Sequence, residues 1–318
     1  MLSDVVSNSQ LRCFKRCRRK YWLTYIRKLK RLRPDFTGAR QLGTRVHGAL
    51  QAYYESPTLD KSAAFAYLID LQAREMEAAT GTQHLIDSIA KEHDMAYTMV
   101  DGYFQWLEEE AVDIDLEIIG TEQLLRTGSP IPKVDLIGKL DLNVRRISTG
   151  VEGFLDFKTV GDLQTPLKYL GQDEQFRTYA LMKRLLCLEL GIEPPRFQIY
   201  RMLKKSKRTA RATPPFFKDY EVYINEEELR AMWTRIAGEL EDLLDLEHRM
   251  EQNPERHRSI AYPNPTQNCS WDCDFYNVCP LFDDARSDPE YLIASNFVVG
   301  DPHEHYDGQL TDDAENSV

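Results

Sequence analysis

Apolar and polar residues alternate from Val134 to Val144. Val134, Leu136, Leu140 and Leu142 fall on one face, and Asp135, Lys139, Asp141 and Asn143 on the other. That period predicts a strand. Val151 to Lys158 predicts a second, and Ser148, Thr149 and Gly150 supply turn residues for a hairpin through Arg145 to Gly150. Leu116 to Leu125 predicts an earlier strand, Phe197 to Leu203 a later one, and Val222 to Ile224 a further short one. Elsewhere the period is helical. A helix capped near Ser7 is expected to run through Cys17 and Tyr21 to about Leu29. After a loop over 34–40, a second helix opens at Gly43-Thr44 and passes through His47, Leu50 and Tyr54. Amphipathic segments at 61–79 and 85–110 follow, giving a helical insert over 34–112. Leu167 to Leu190 reads as helix interrupted near Gly171, and Asn225 caps a long helix from Glu226 to Glu251. The order helix, three strands, helix, strand predicts an α/β protein with a mixed central sheet flanked by helices. No repeat and no sharp linker divides the chain, so a single domain over 1–285 is expected, with its catalytic core at 115–203.

Composition narrows the class. The chain has 318 residues, 42% hydrophobic and 29% charged, enough for a sizeable core. No apolar run approaches the ~20 residues of a membrane span. Met1-Leu2-Ser3-Asp4 lacks a basic-then-apolar leader, so a cytoplasmic protein without a membrane partner is expected. The net charge of −11 excludes a uniformly basic surface, but the basic residues are clustered. Residues 12–33 carry eleven Lys or Arg and no acid, and residues 201–211 carry six more. Such patches track a phosphate backbone even on an acidic molecule; the plainer reading is a solvated helix face. The segment 286–318 is acidic and reads as a largely disordered tail.

Candidate chemistry lies on the two central strands. Asp141 is on the first; Asp156 and Lys158, two residues apart, point to one side of the second. Two carboxylates and a lysine placed this way hold a hard cation such as Mg2+ or Mn2+ against a phosphodiester, with the lysine positioning water or neutralising developing charge. Asp-x-Lys by itself is more often ordinary strand surface, and an isolated histidine such as His47 more often packs or lies on the surface. Six cysteines are unevenly placed. Cys187 lies in an apolar helix and reads as core. Cys269, Cys273 and Cys279 fall in a turn-rich segment after Pro263 and Pro265, and Cys17 or Cys13 is available as a fourth thiolate. Four thiolates suit zinc or an iron–sulfur cluster; the spacing, with Pro280 after Cys279, favours 4Fe–4S.

Taken together, these residues resemble the PD-(D/E)xK nuclease superfamily, within it the RecB-like and Cas-four-type iron–sulfur exonucleases and their bacteriophage homologues. Ser7-x-Ser9-Gln10-Leu11 followed by Cys17-x-Arg19-Lys20-Tyr21 is similar to the N-terminal signature of that branch and selects Cys17 over Cys13. Gly43-Thr44-x-x-His47 resembles its histidine motif, Glu122 its accessory acid, Gly138-x-x-Asp141 its second motif and Asp156-x-Lys158 its third. Gln175-x-x-x-Tyr179 resembles the motif that follows. The resemblance implies a restriction-endonuclease-like core. It implies Mg2+ or Mn2+ held by His47, Asp141, Asp156 and the Phe157 carbonyl, with Glu122 and Lys158 assisting, and a 4Fe–4S cluster on Cys17, Cys269, Cys273 and Cys279, the last three within a 262–282 segment. Three residues stand between Cys269 and Cys273 where two are common, and Arg18 where proline is common.

The expected function is a metal-dependent DNA exonuclease acting on ends or single strands in recombination, repair or CRISPR-type processing, in a bacterium or phage-infected cell. Gln175 and Tyr179 would face the cleft, and Arg19, Lys20, Lys204 and Lys205 would guide the strand. No G-x-x-x-x-G-K-[ST] is present, so unwinding would fall to a helicase or recombination partner. The alternatives are a catalytically silent iron–sulfur DNA-binding subunit and a structure-specific endonuclease.

Overall fold

The computed structural model describes residues 3–33, 35–209, 211–284, 286–304 and 306. In chain order they form β1 (Val5–Ser7), α1 (Asn8–Arg16), α2 (Arg18–Tyr21), a π-helical turn at Trp22–Ile26, β2 (Leu29–Arg31), α3 (Ala39–Glu55), α4 (Lys61–Ala78) and α5 (Gln83–Glu110). Then come β3 (Leu116–Gly128), β4 (Asp135–Arg146), β5 (Glu152–Val160), α6 (Leu167–Leu170), α7 (Glu174–Leu190), β6 (Phe197–Lys204), β7 (Phe217–Val222) and α8 (Glu226–Gln252). The chain finishes with α9 (His257–Ile260), α10 (Cys269–Asp272), α11 (Pro289–Asn296) and β8 (Phe297–Val299). The contacts divide it into two compact units. The first comprises Met1–Pro34, Leu124–Gly138 and Glu226–Val318; the second comprises Asp35–Gln123 and Lys139–Asn225.

The second unit is built on β4, β5, β6 and β7, paired in that order, with β3 paired to β4. β4 and β5 are antiparallel, with Leu142 opposite Leu155 and Val144 opposite Gly153. β5 and β6 are parallel, from Gly153 opposite Phe197 to Val160 opposite Lys204. β7 closes antiparallel against β6. The sheet is therefore mixed. β5 is buried on both faces from Gly153 to Phe157, as expected of a central strand. Leu155 and Phe157 face a core shared with Leu50, Tyr54 and Tyr103 of α3 and α5. Phe154 stacks instead against Phe176 of α7, ring centroids 6.0 Å apart. Asp173 caps α7 by accepting from the Phe176 amide at 3.1 Å. The helix stops at Gly191, whose φ of 67° is one that glycine adopts without strain. Beneath the sheet, Arg201 is fully buried between Asp113 and Asp219, each 2.7 Å away, and also donates to the hydroxyls of Tyr54 and Tyr103.

In the first unit, β1 runs parallel to the opening residues of β4. α8 lays Leu229, Met232, Ile236, Leu240, Leu243, Leu246 and Met250 along one buried stripe. Glu247 on that stripe accepts from the Ser3 amide at 2.8 Å, the Ser3 hydroxyl at 2.6 Å and the Tyr21 hydroxyl at 2.5 Å. A buried carboxylate is tolerated here because its oxygens are hydrogen-bonded.

Several elements depart from the sequence expectation. The single helix expected from Ser7 to Leu29 breaks at Cys17, which is extended at φ −163° and caps α2 through its sulfur. The 3.6 period continues across that break, so periodicity alone does not reveal it. β1, β2 and β8 were not expected; each has three residues, too few for alternation to register. The short strand expected at Val222–Ile224 is instead β7 at Phe217–Val222. The expected disordered tail begins too early at 286: α11 is capped by Asp288, and β8 pairs antiparallel with β2. Residues 307–318 lie outside the described residues.

Candidate active site

The β4–β5 ladder ends at Leu142 and Leu155. Beyond it, the Phe157 backbone is satisfied by side chains. Its amide donates to Asp141 Oδ2 at 2.7 Å, and its backbone also hydrogen-bonds His47 of α3. His47 Nδ1 lies 3.6 Å from the same Asp141 oxygen. Asp156 and Lys158, on alternate positions of β5, point toward α7. Lys158 Nζ is 2.5 Å from Asp156 Oδ2. Gln175 bridges the pair, accepting from Lys158 at 3.1 Å and donating to Asp156 Oδ1 at 3.1 Å. The structure thus brings His47, Asp141, Asp156, Phe157, Lys158 and Gln175 together at one end of the strands, all within the second unit. Tyr179, one helical turn beyond Gln175, is buried.

The electrostatics follow from burial and crowding. Burial, then the neighbouring Asp156 charge, raises the Asp141 pKa well above the ordinary carboxylate range. Burial pushes His47 down to about 4, so its ring is neutral near pH 7 and has a lone pair to give. Burial also opposes the Lys158 ammonium, but the Asp156 and Asp141 charges outweigh it and raise its pKa.

Glu122 on β3 is buried, and its backbone is left-handed at φ 47°. The side-chain alternation of β3 changes phase there: Ile118 and Gly120 share the inward parity before it, Leu125 and Thr127 after it. Its carboxylate pairs with Lys139 of β4. Sequence reasoning singled out Glu122 but assigned no role to Lys139. The signal was available, because Lys139 shares the polar face of β4 with Asp141.

A divalent ion fits this donor set by chemistry: two carboxylates, a carbonyl and a neutral imidazole are the oxygen-rich, nitrogen-containing ligands of Mg2+ or Mn2+. Asp156 Oδ2 is buried with no aligned hydrogen bond among the described residues. The 3.6 Å between His47 and Asp141 is somewhat wider than the roughly 3 Å between adjacent octahedral ligands at ~2.1 Å. Among the described residues, however, no three His, Cys, Asp or Glu side chains converge as a closed ligand set. Lys158 provides the countercharge on Asp156.

A family model for the PD-(D/E)XK nuclease superfamily matches residues 5–280. The chain belongs to that superfamily. The match runs through β1 to β7 and every residue of the site above. Among solved structures, a candidate exonuclease from Eubacterium rectale is similar at 11% identity and TM-score 0.49, over 86% of this chain and 88% of that one. The protein SSO0001 is similar at 19% identity and TM-score 0.30, over 68% and 85%. With TM-scores below 0.5, neither adds to what the family match establishes. No curated protein matches the sequence.

In the first unit, Cys17, Cys273 and Cys279 sense one another's charge, as do Cys273 and Cys269. Backbone amides point at the sulfurs: Lys20 and Asn264 at Cys17, at 3.5 and 3.4 Å, and Thr266 at Cys269, at 3.4 Å. Amides so directed suit thiolates that ligate a cluster or metal. Cys13 shares this neighbourhood, feeling the Cys17 and Cys273 charges; burial pushes its pKa up to about 12, and raises those of Cys273 and Cys279 as well.

Arg19 does not lie on a surface that a nucleic acid can reach. Its guanidinium is buried, forks onto Asp283 at 2.7 and 2.9 Å, and donates to the carbonyls of Cys279 and Ala261. Its place in a basic run predicted a phosphate contact; its burial makes it a clamp on the cysteine segment. Lys20 donates to the Asp272 carbonyl at 3.1 Å, and Lys205 to that of Ala39 at 3.0 Å. Lys204 lies over the Phe216 ring. No described helix is long and apolar enough to cross a membrane.

Proposed function

We propose that this nuclease-superfamily chain is a metal-dependent DNA exonuclease of the RecB-like, Cas-four-type branch, acting on ends or single strands. The observation that carries the reading is the Asp156–Lys158–Gln175 triangle on β5 and α7, with Asp141 fixed alongside by the Phe157 amide. His47, Asp141, Asp156 and the Phe157 carbonyl would hold Mg2+ or Mn2+, which when bound acidifies a coordinated water and polarises the phosphate. Lys158, held beside Asp156 by an ion pair, would present a positive charge toward the scissile phosphate. Gln175 orients both Asp156 and Lys158. Lys20, Lys204 and Lys205 would contact the strand, whereas Tyr179, expected from the sequence to face the cleft, is buried on α7 and would not.

A 4Fe–4S cluster on Cys17, Cys269, Cys273 and Cys279 is part of the proposal, supported by the amides aimed at sulfur; zinc is the other ion that four thiolates would take. The protein would work in the cytoplasm of a bacterium or phage-infected cell, in recombination, repair or CRISPR-type processing. Any unwinding would come from a helicase or recombination partner.

The test is digestion of end-labelled linear single-stranded DNA by anaerobically purified protein, with Mn2+ or with EDTA, beside Lys158→Ala. Release of label by the unsubstituted protein with Mn2+ only, and a loss of at least ~100-fold in the variant, is the expected result. Equal cleavage by both proteins would remove Lys158 from the chemistry. DNA binding without cleavage would indicate a silent binding subunit, and cutting of a circular single strand an endonuclease.

A further inference from the structure

Among the described residues, two lysine–carboxylate pairs lie beside the candidate site, Lys158 with Asp156 and Lys139 with Glu122, and only the first belongs to the nuclease motif. Lys158 sits on Asp156. Lys139 sits on Glu122, a buried acid held by a left-handed backbone that a glutamate rarely adopts. Lys139 and Asp141 are two residues apart on β4 and share a face. β3, carrying Glu122, pairs with β4, and Gly120 lies against Asn143. The Glu122 charge reaches Asp141. Glu122 is therefore the acid placed to bind a second cation next to the first, and Lys139 has already neutralised it.

Charge counting supports a single ion. With an ion bound, Asp141 and Asp156 would be carboxylates and His47 an uncharged ligand; with Glu122 the site has three negative charges, against the two ammonium groups of Lys139 and Lys158. One divalent ion moves this group from one net negative charge to one net positive charge. A second would add two more positive charges in a partly buried space, which is strongly unfavourable without further anions.

We propose that Lys139 is a built-in counter-ion whose ammonium keeps Glu122 out of the ligand set, so that the site accepts one divalent cation and not two. This rests on the metal-dependent reading above. Lys139 is then a positioning residue: it fixes Glu122 and sets the metal stoichiometry without touching the reacting atoms.

The test is Mn2+ binding to the full-length protein, counted by titration calorimetry and by the Mn2+ electron paramagnetic resonance signal. Mn2+ is chosen because thiolates bind it weakly. The unsubstituted protein should bind one ion. Lys139→Met should bind two, the double variant Lys139→Met with Glu122→Gln should return to one, and Lys139→Arg should stay at one. Two ions on the unsubstituted protein would overturn the proposal whatever the variants do. One ion on a folded Lys139→Met, verified by circular dichroism, would overturn it and leave the metal-dependent reading intact. No Mn2+ on the unsubstituted protein would overturn both.

Discussion

At the residue scale, the site depends on how few partners each charged group has. Asp156 and Lys158 neutralise each other, and Gln175 hydrogen-bonds to both. Removing the amide leaves the two charges in place but frees their rotamers. Gln175→Ala should lower kcat about 10–100-fold, the usual cost of losing a partner that orients ligands. The melting temperature should hardly move, because the residue is only partly buried and its partners keep each other. An unchanged kcat would show that the pair holds its geometry unaided. The motif acids and Lys158 were legible because strand alternation places i and i+2 together. The strain at Glu122 was not: a left-handed glutamate, costing about 1–3 kcal/mol, leaves no mark on composition or period. Arg19 and Arg201 were misleading for a related reason. A run of basic residues does not distinguish a guanidinium in solvent from a buried one, and both are buried, Arg19 on Asp283 and two carbonyls, Arg201 between two carboxylates.

At the element scale, the site depends on the register between β5 and its neighbours. Gly153 sits where β5 meets both β4 and β6. A Cβ there would lie 2.6 Å from the Phe197 carbonyl oxygen and 2.5 Å from its ring. The ring can turn, but the carbonyl belongs to the β6 backbone and cannot move without disturbing the ladder. Gly153→Ala should therefore destabilise the protein by about 1–3 kcal/mol, the range of overpacked cores, and lower the urea midpoint. An unchanged midpoint would show that β6 yields locally. The strands that carry the site were readable because each has eight or more residues and a clear alternation or apolar run. The helices of the insert were readable from their period. What was not readable was decided by contacts distant in sequence. β2 forms because β8, some 270 residues later, pairs with it. The Cys17 break similarly leaves its sulfur accepting from Lys20 and from Asn264 far along the chain.

At the scale of the whole molecule, the question is how a chain of net charge −11 can hold a polyanion. Total charge does not decide this, because screening confines each charge to about 8–10 Å at physiological salt. Only cations that are both accessible and not already neutralised release counterions on binding. By that criterion the 201–211 run shrinks. Arg201 is buried between two carboxylates, and Lys207 is engaged with Asp94. Lys204 and Lys205 meet a ring and a carbonyl, neither of which cancels charge. Together with the exposed Arg208, which meets two rings and the Gln105 side chain, and the exposed Arg211, they should be phosphate contacts of that run. On single-stranded DNA each phosphate neutralised contributes about 0.7 to the slope of log K against log salt. Lys204→Ala with Lys205→Ala should therefore flatten the slope by about 1.4, with affinity falling alike for all sequences. Arg19→Met should leave the slope as it was, even if it costs stability, because Asp283 already balances that charge. Fluorescence anisotropy of a labelled single strand across a salt series, in EDTA to prevent cleavage, gives all three slopes. If the lysine variant keeps the parent slope, the strand does not follow the end of β6. If Arg19→Met flattens it, the Asp283 clamp must open when DNA binds.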